Sequence, residues 1–280
     1  MELTQILVKG AALSVVVFVV SSTLGVGLSL TVGQIIAPLK NVRLVGLSLA
    51  VNFVLSPLAA FALWKLLRLH EPLGVGLLLC SLAAGAPFLL KLAEFSKSNM
   101  AFAVGLMVLL MVLTVGYVPL VLPWLLAGTS VNPLKIAQSL IVLMLIPLAV
   151  GLLVRARWAN VAGKISPAIG IISTVSMFLV LTLTIAGHFK NVLSVLGTYG
   201  VLAIVIFTVI CIATGWFLGG PGRDTKSVLA LGTAQRNTAA AIVVAGQNFT
   251  DPMVVVMIAV VMIVEAVILI PLARFLARKG

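Results

Sequence analysis

Arg236 lies in the stretch "GTAQRNTAA", residues 232–240, inside an apolar run that extends from about 227 to 249. A guanidinium stays protonated at any physiological pH, and with about ten residues on either side it is too deep to snorkel to water. Its charge must be met by a carboxylate, by backbone carbonyls of a broken helix, or by a bound anion. Glu265 is the acid in a comparably apolar run, so a structural Arg236–Glu265 ion pair and a place in an anion site both stand open. Thr233, Gln235, Asn237 and Thr238 offer hydrogen bonds beside Arg236, and Asn52 does so from the middle of another apolar run. These residues are the candidate lining of a substrate site.

A second group of charges is placed differently. Lys91, Glu94 and Lys97 recur every third residue, so on a helix they share one face and can pair. At ~1.5 Å rise per residue Lys91 lies only about 9 Å from Lys97, within reach of a headgroup region or an exit path. Glu94 and Glu265 are the acids that could carry a coupling proton. Isolated hydroxyls within apolar runs, Ser48, Thr114 and Thr208 among them, are expected to bond a carbonyl one turn back. HExxH, GxSxG and GxxxxGK[ST] patterns are absent, which removes support for intramembrane proteolysis and ATP hydrolysis, and no catalytic or metal-ligating set is assigned.

The elements that must hold these residues are membrane spans. Hydrophobic residues make up 62% of the 280-residue chain and charged residues 9%, against roughly 25% charged in a soluble domain. The net charge of +12 would suggest nucleic acid in a soluble protein. Here the basic residues sit singly at the ends of apolar runs, where they set topology and meet anionic lipid, so the expected partner is the bilayer and not nucleic acid. Cys80 and Cys211 lie within apolar runs and are read as small core residues.

Apolar runs bounded by charge, Pro or Gly give nine helices, at about 7–31, 42–66, 72–96, 99–126, 135–154, 165–188, 196–218, 226–248 and 252–276. The first is too long for a secretory signal and is read as a span. Lys and Arg at alternate ends number five on one side and eleven, Lys279 included, on the other. That bias places the N-terminus outside and the C-terminus in the cytoplasm, across the cell (inner) membrane. Two runs are interrupted, one at Gly85 and Pro87 and one at the polar cluster starting from Gly232. Glycine gives the latitude to unwind and proline removes a backbone donor, so Gly85, Pro87 and Gly232 are the expected helix breaks. Broken spans five apart in order are the mark of an inverted-repeat transporter. On that reading residues 1–280 form a single all-α transmembrane unit, with repeat one at about 7–126, a linker helix at about 135–154 and repeat two at about 165–276.

The chain also resembles the bile acid:sodium symporter family. "NFVLSPLAAFALWKLL", the segment "GVGLLLCSLAAGAPFLLKLAEFSKSNMAFAVGLMVLLMVLTVGYVPLVLP" and "LGTAQRNTAAAIVVA" carry the likeness. Asn52, Phe53 and Pro57 echo the family's Gln-Phe-x-x-x-Pro, Ser98 and Asn99 echo a Gly-Asn before the next span, and Gly232 to Thr238 echo a Glu-x-Gly-x-Gln-Asn-[Ser/Thr] centre. The resemblance implies a core of two crossing broken helices, a panel of flanking helices, and nine spans with the N-terminus outside. It also implies sodium held by a carboxylate in the second broken helix, by Ser and Asn in the first, and by hydroxyls in the span after it. This sequence departs there: Gly232 stands at the carboxylate, Arg236 at the glutamine, Leu89 and Leu90 at the Ser-Asn pair, Ala103 and Met107 at the hydroxyls. A hard cation needs several oxygens and these side chains supply none.

The expected function is therefore secondary transport of a small organic anion by alternating access. It would need no organic cofactor, make no use of the usual sodium sites, be sodium-independent or proton-linked, and require no oligomer. A non-transporting receptor on the same fold, or a sodium-coupled symporter with relocated ion sites, are the alternatives.

Overall fold

The structure, a computed structural model, describes residues 2–126 and 131–278, with Lys279 of the charge count outside them. Helices carry the described chain, and no strand occurs among the described residues. In chain order they are α1 (Glu2–Ser29), α2 (Val32–Ile36), α3 (Val42–Leu66), α4 (Glu71–Leu82), α5 (Leu89–Phe95), α6 (Met100–Leu125), α7 (Pro133–Arg157), α8 (Ala159–Gly187), α9 (Phe189–Leu196), α10 (Gly200–Leu218), α11 (Arg223–Ala234), α12 (Thr238–Asn248) and α13 (Pro252–Arg278). Against the nine spans expected, eight helical segments are long and apolar enough to cross a membrane, counting Arg223–Asn248 as one. The difference is the third: between Leu82 and Leu89 the chain leaves the helix, so α4 and α5 are each too short to cross alone.

The helices sort into two groups. α1 lies along α7 and α8, and Gly27 and Gly151 let α1 and α7 touch backbone to backbone; a Cβ at Gly27 would sit 2.4 Å from the Leu148 carbonyl. Small residues at such a crossing are how helices pack where lipid removes the hydrophobic drive. Only 17% of the apolar window of α8 is buried, so this panel presents its outer side to lipid. α3, α4, α5, α6, α10, α11, α12 and α13 pack together as a core. There the apolar window of Arg223–Asn248 is wholly buried by its neighbours, although it holds the most polar stretch of any span. The core meets the panel through α12, against α1 and the start of α7, through α6, also against the start of α7, and through α13, against α8.

The first break, residues 83–88, is made by backbone chemistry. Ala83 turns to an extended conformation, Gly85 takes φ +79° and Pro87 cannot donate. A Cβ at Gly85 would stand 2.2 Å from the Met111 nitrogen, so glycine is needed both for its dihedral and for the close passage of α6. Thr114 of α6 then secures the break: its hydroxyl donates to the Ala84 carbonyl (3.1 Å) and accepts from the Ala84 N–H (3.0 Å). Ser48 and Thr208 bond one turn back as expected, to Leu44 and Ile204, but Thr114 bonds across to the break because the unwound segment leaves polar backbone within its reach.

The second break falls at residues 235–237, and this corrects the expectation for Gly232, which lies inside α11. Glycine keeps its N–H and accepts helical dihedrals, so the helix runs on through Gly232. It ends where Asn237 turns its side chain to cap the next helix, accepting from the Ala240 N–H at 3.1 Å. Gly232 instead serves packing: a Cβ there would meet Leu89 Cδ2 at 2.9 Å.

Candidate functional site

The two breaks lie against each other. The Asn237 N–H donates to the Ala83 carbonyl (2.9 Å) and its side-chain Nδ2 to the Gly85 carbonyl (3.2 Å). Between the half-helices lies Arg236, with none of its surface exposed. Nε donates to the Cys80 carbonyl (3.1 Å) and Nη2 to the Ser81 carbonyl. Nη1 donates to the Thr233 carbonyl (3.0 Å) and to Asn52 Oδ1 (2.9 Å).

Three of those four acceptors are last-turn carbonyls. Cys80 and Ser81 lie in the last turn of α4, and Thr233 in the last turn of α11. The last turn of a helix leaves carbonyls without intrahelical partners and carries the negative end of the helix dipole. Two such ends meet here, and the guanidinium is the cation between them. Of the three ways to meet the buried charge, the carbonyls of broken helices are the one observed. The guanidinium forms no ion pair with Glu265 among the described residues.

Asn52 reaches Arg236 because α3 is locally unwound. Residues Val51–Leu55 form one π turn ahead of Pro57, which has no N–H to give to the Phe53 carbonyl four residues back. That carbonyl is taken by the Tyr117 hydroxyl, whose ring packs on Phe53 at 4.7 Å between centroids. Asn52 Nδ2 donates to the Ser48 carbonyl (3.0 Å) and to Thr233 Oγ1 (3.3 Å), which orients its oxygen toward Arg236. The Pro57 ring thus acts on the site through the backbone.

Glu265, wholly buried on α13, approaches the second break from the other side. Its Oε2 accepts from the Arg236 backbone N–H (3.2 Å) and from Gln235 Nε2 (3.0 Å). Its Oε1 and the Gln235 Oε1 have no hydrogen-bond partner among the described residues. Buried polar atoms are rarely left in that condition.

All six residues chosen as substrate lining, Asn52, Thr233, Gln235, Arg236, Asn237 and Thr238, are brought together and buried at this crossing. Lys91 and Glu94 are elsewhere: they pair with each other at 2.8 Å on α5 with more than half of each side chain exposed. Lys97 follows at φ +50°, closing the end of that helix. Sequence reasoning missed Cys80 and Ser81, which act through carbonyls and carry no side-chain signal. It also missed Tyr117, for which the proline four residues beyond Phe53 was an available clue.

Where the resemblance places sodium ligands, the side chains are apolar and packed. Leu89, Ala103 and Met107 are buried, and Leu89 covers Gly232, so the position of the family's carboxylate is filled by carbon from the position of its serine. Among the described residues no group of three or more His, Cys, Asp or Glu could hold a metal.

A family model described as the sodium bile acid symporter family matches residues 11–195, well over half of the chain. Among curated proteins the chain is 26% identical over 265 residues to one from Oryza sativa subsp. japonica named "Probable sodium/metabolite cotransporter BASS2, chloroplastic". The match takes in 92% of this chain and 62% of that protein, so the chain spans about three fifths of its relative's length.

Proposed function

Because this chain belongs to the sodium bile acid symporter family, we propose that it is a multi-pass membrane transporter that carries a small organic anion by alternating access, with Arg236 as a tethered cation in place of a bound one. The observation that carries this reading is the guanidinium donating to the last-turn carbonyls of both half-helices. Transporters with broken helices use such ends to hold a coupling cation. A covalently attached charge fills that role permanently and stores no energy from a sodium gradient. The rice relative's name joins metabolite transport to sodium; this proposal parts from it at the coupling ion.

In this reading the panel of α1, α7 and α8 and the core rock against each other, and the two halves of the chain, about 7–126 and 165–276, are inverted repeats joined by α7. The basic bias puts the N-terminus outside and the C-terminus in the cytoplasm of a cell membrane. Nε, both N–H groups of Nη1 and one of Nη2 on the Arg236 side chain are engaged by protein acceptors. Its charge therefore acts on the substrate as a field in a medium of low dielectric. Direct contacts fall to Asn52, Thr233, Gln235, Asn237 and Thr238 as the core opens.

The test is uptake of a panel of radiolabelled small carboxylates into proteoliposomes, with sodium or with potassium outside. Uptake should be equal in the two and should fall at least tenfold in Arg236→Gln. Strict dependence on sodium would sink the tethered-cation reading.

A further inference from the structure

At the crossing, two oxygens are short of a donor. Glu265 Oε1 and Gln235 Oε1 are both buried acceptors without a partner among the described residues, and their side chains already touch through Gln235 Nε2 and Glu265 Oε2 at 3.0 Å. An ionised Glu265 leaves both oxygens orphaned. One added proton turns Oε1 into a donor and gives the free amide oxygen something to accept, directly or through a water.

We propose that Glu265, with Gln235, is a proton-binding site coupled to anion transport. A hard cation is a poorer occupant, because it takes several oxygens at once and would lie beside the fixed charge of Arg236. Resting on the transporter reading above, the proposal names the coupling ion and the substrate's charge. With Glu265 ionised, the crossing holds one guanidinium and one carboxylate and is neutral. With Glu265 protonated, the charge of Arg236 stands uncompensated, and one negative charge restores neutrality. Proton and monovalent anion thus favour each other's binding, and by linkage the preference is mutual. One proton travels inward on Glu265 with each monovalent anion and leaves with it, so transport is electroneutral.

The surroundings of Glu265 leave that charge balance intact. Arg236 presents its backbone N–H to it, and Cys80 from α4 and Cys211 from α10 are buried thiols on helices packed against α13. On α5 the charges Lys91 and Glu94 neutralise each other at an exposed position. Arg274 of α13 stacks on Phe95 of α5, 5.5 Å from the ring centre. The charges of α11, Arg223, Asp224 and Lys226, stand in its first turn outside the buried stretch, Lys164 of α8 and Lys190 of α9 are exposed, and α12 carries no charged residue.

Infrared difference spectroscopy on the purified full-length protein, stepped in pH with no substrate present, reads the site directly. A protonated-carboxyl band that appears as pH falls should be lost in Glu265→Gln and kept in Glu94→Gln. Should Glu265→Gln fail to fold, Gln235→Leu serves, because removing the amide donor must move the band of Glu265. A band unchanged in both variants overturns the proposal. So does a band abolished by sodium replacing choline at constant pH, which would make the site a sodium site. For any singly charged carboxylate taken up in the screen above, an inward proton gradient should drive uptake, and a potential clamped with valinomycin should leave it unchanged. Uptake driven by potential alone overturns the coupling. If no carboxylate is taken up while the band titrates with Glu265, the transporter reading fails and the proton site stands.

Discussion

The two broken helices interrupt themselves by opposite chemistry. The first break is Ala-Ala-Gly-Ala-Pro-Phe, without a polar side chain, and it offers carbonyls: Cys80, Ser81, Ala83 and Gly85 all accept from the second. The second is Gln-Arg-Asn, and it offers donors: the guanidinium, the Asn237 N–H and the Asn237 amide. In hydrocarbon an unmet carbonyl has no water to turn to, so unwound backbone persists only where protein supplies the missing donor. Neither break is complete alone. The pair works as a plug and socket in which one segment contributes conformation and the other contributes charge.

Removing the charge should break this complementarity most severely. Arg236→Leu removes at once the donor of the Ser81 and Thr233 carbonyls and of Asn52 Oδ1, and leaves the Cys80 carbonyl only the Ala83 N–H. A loss of about 3–5 kcal/mol is expected for a buried charged partner, and thermal unfolding in detergent should register it as a large fall in midpoint. Arg236→Lys should recover part of that loss, since an ammonium keeps the charge without the planar fork.

Next in size is an attack on the conformation of the first break. Gly85→Ala places a Cβ 2.2 Å from the Met111 nitrogen at φ +79°, and a cost of about 2–4 kcal/mol follows from clash and dihedral strain together. Equal stability of variant and parent would show that α6 does not press on the break. Thr114→Val, which keeps the shape and removes both bonds to Ala84, should cost roughly 1–3 kcal/mol through the unmet Ala84 groups.

Gly232→Ala is the mildest. The added methyl meets only the ends of the Leu89 and Leu106 side chains, at 2.9 and 3.4 Å, which can swing aside, so a change of about 1 kcal/mol or less is expected. A large loss there would mean that the glycine does break the helix, against the geometry described above.

How much of this was legible beforehand depends on what kind of atom does the work. Composition and run length gave the all-helical membrane class and most span limits, since hydropathy over some twenty residues is a strong signal. Pro87 and Gly85 announced the first break because their backbone chemistry is written in their identity. Arg236 announced itself as an anomaly of charge. Its partners stayed hidden, because Cys80, Ser81 and Thr233 accept through main-chain carbonyls that every residue possesses. The exact place of the second break was misread for a related reason. Gly232 looked like the breaker by type, yet Asn237 ended the helix by capping, a choice settled by what lay opposite.

The sequence by itself determined that a permanent positive charge would be buried in a membrane span, and that its charge had to be answered there. Only the tertiary structure decided how. Two helix C-termini far apart in the chain, at Leu82 and at Ala234, converge on one guanidinium, because helix dipoles and orphan carbonyls add up where helices meet, and convergence of that kind is a property of packing that local sequence does not encode.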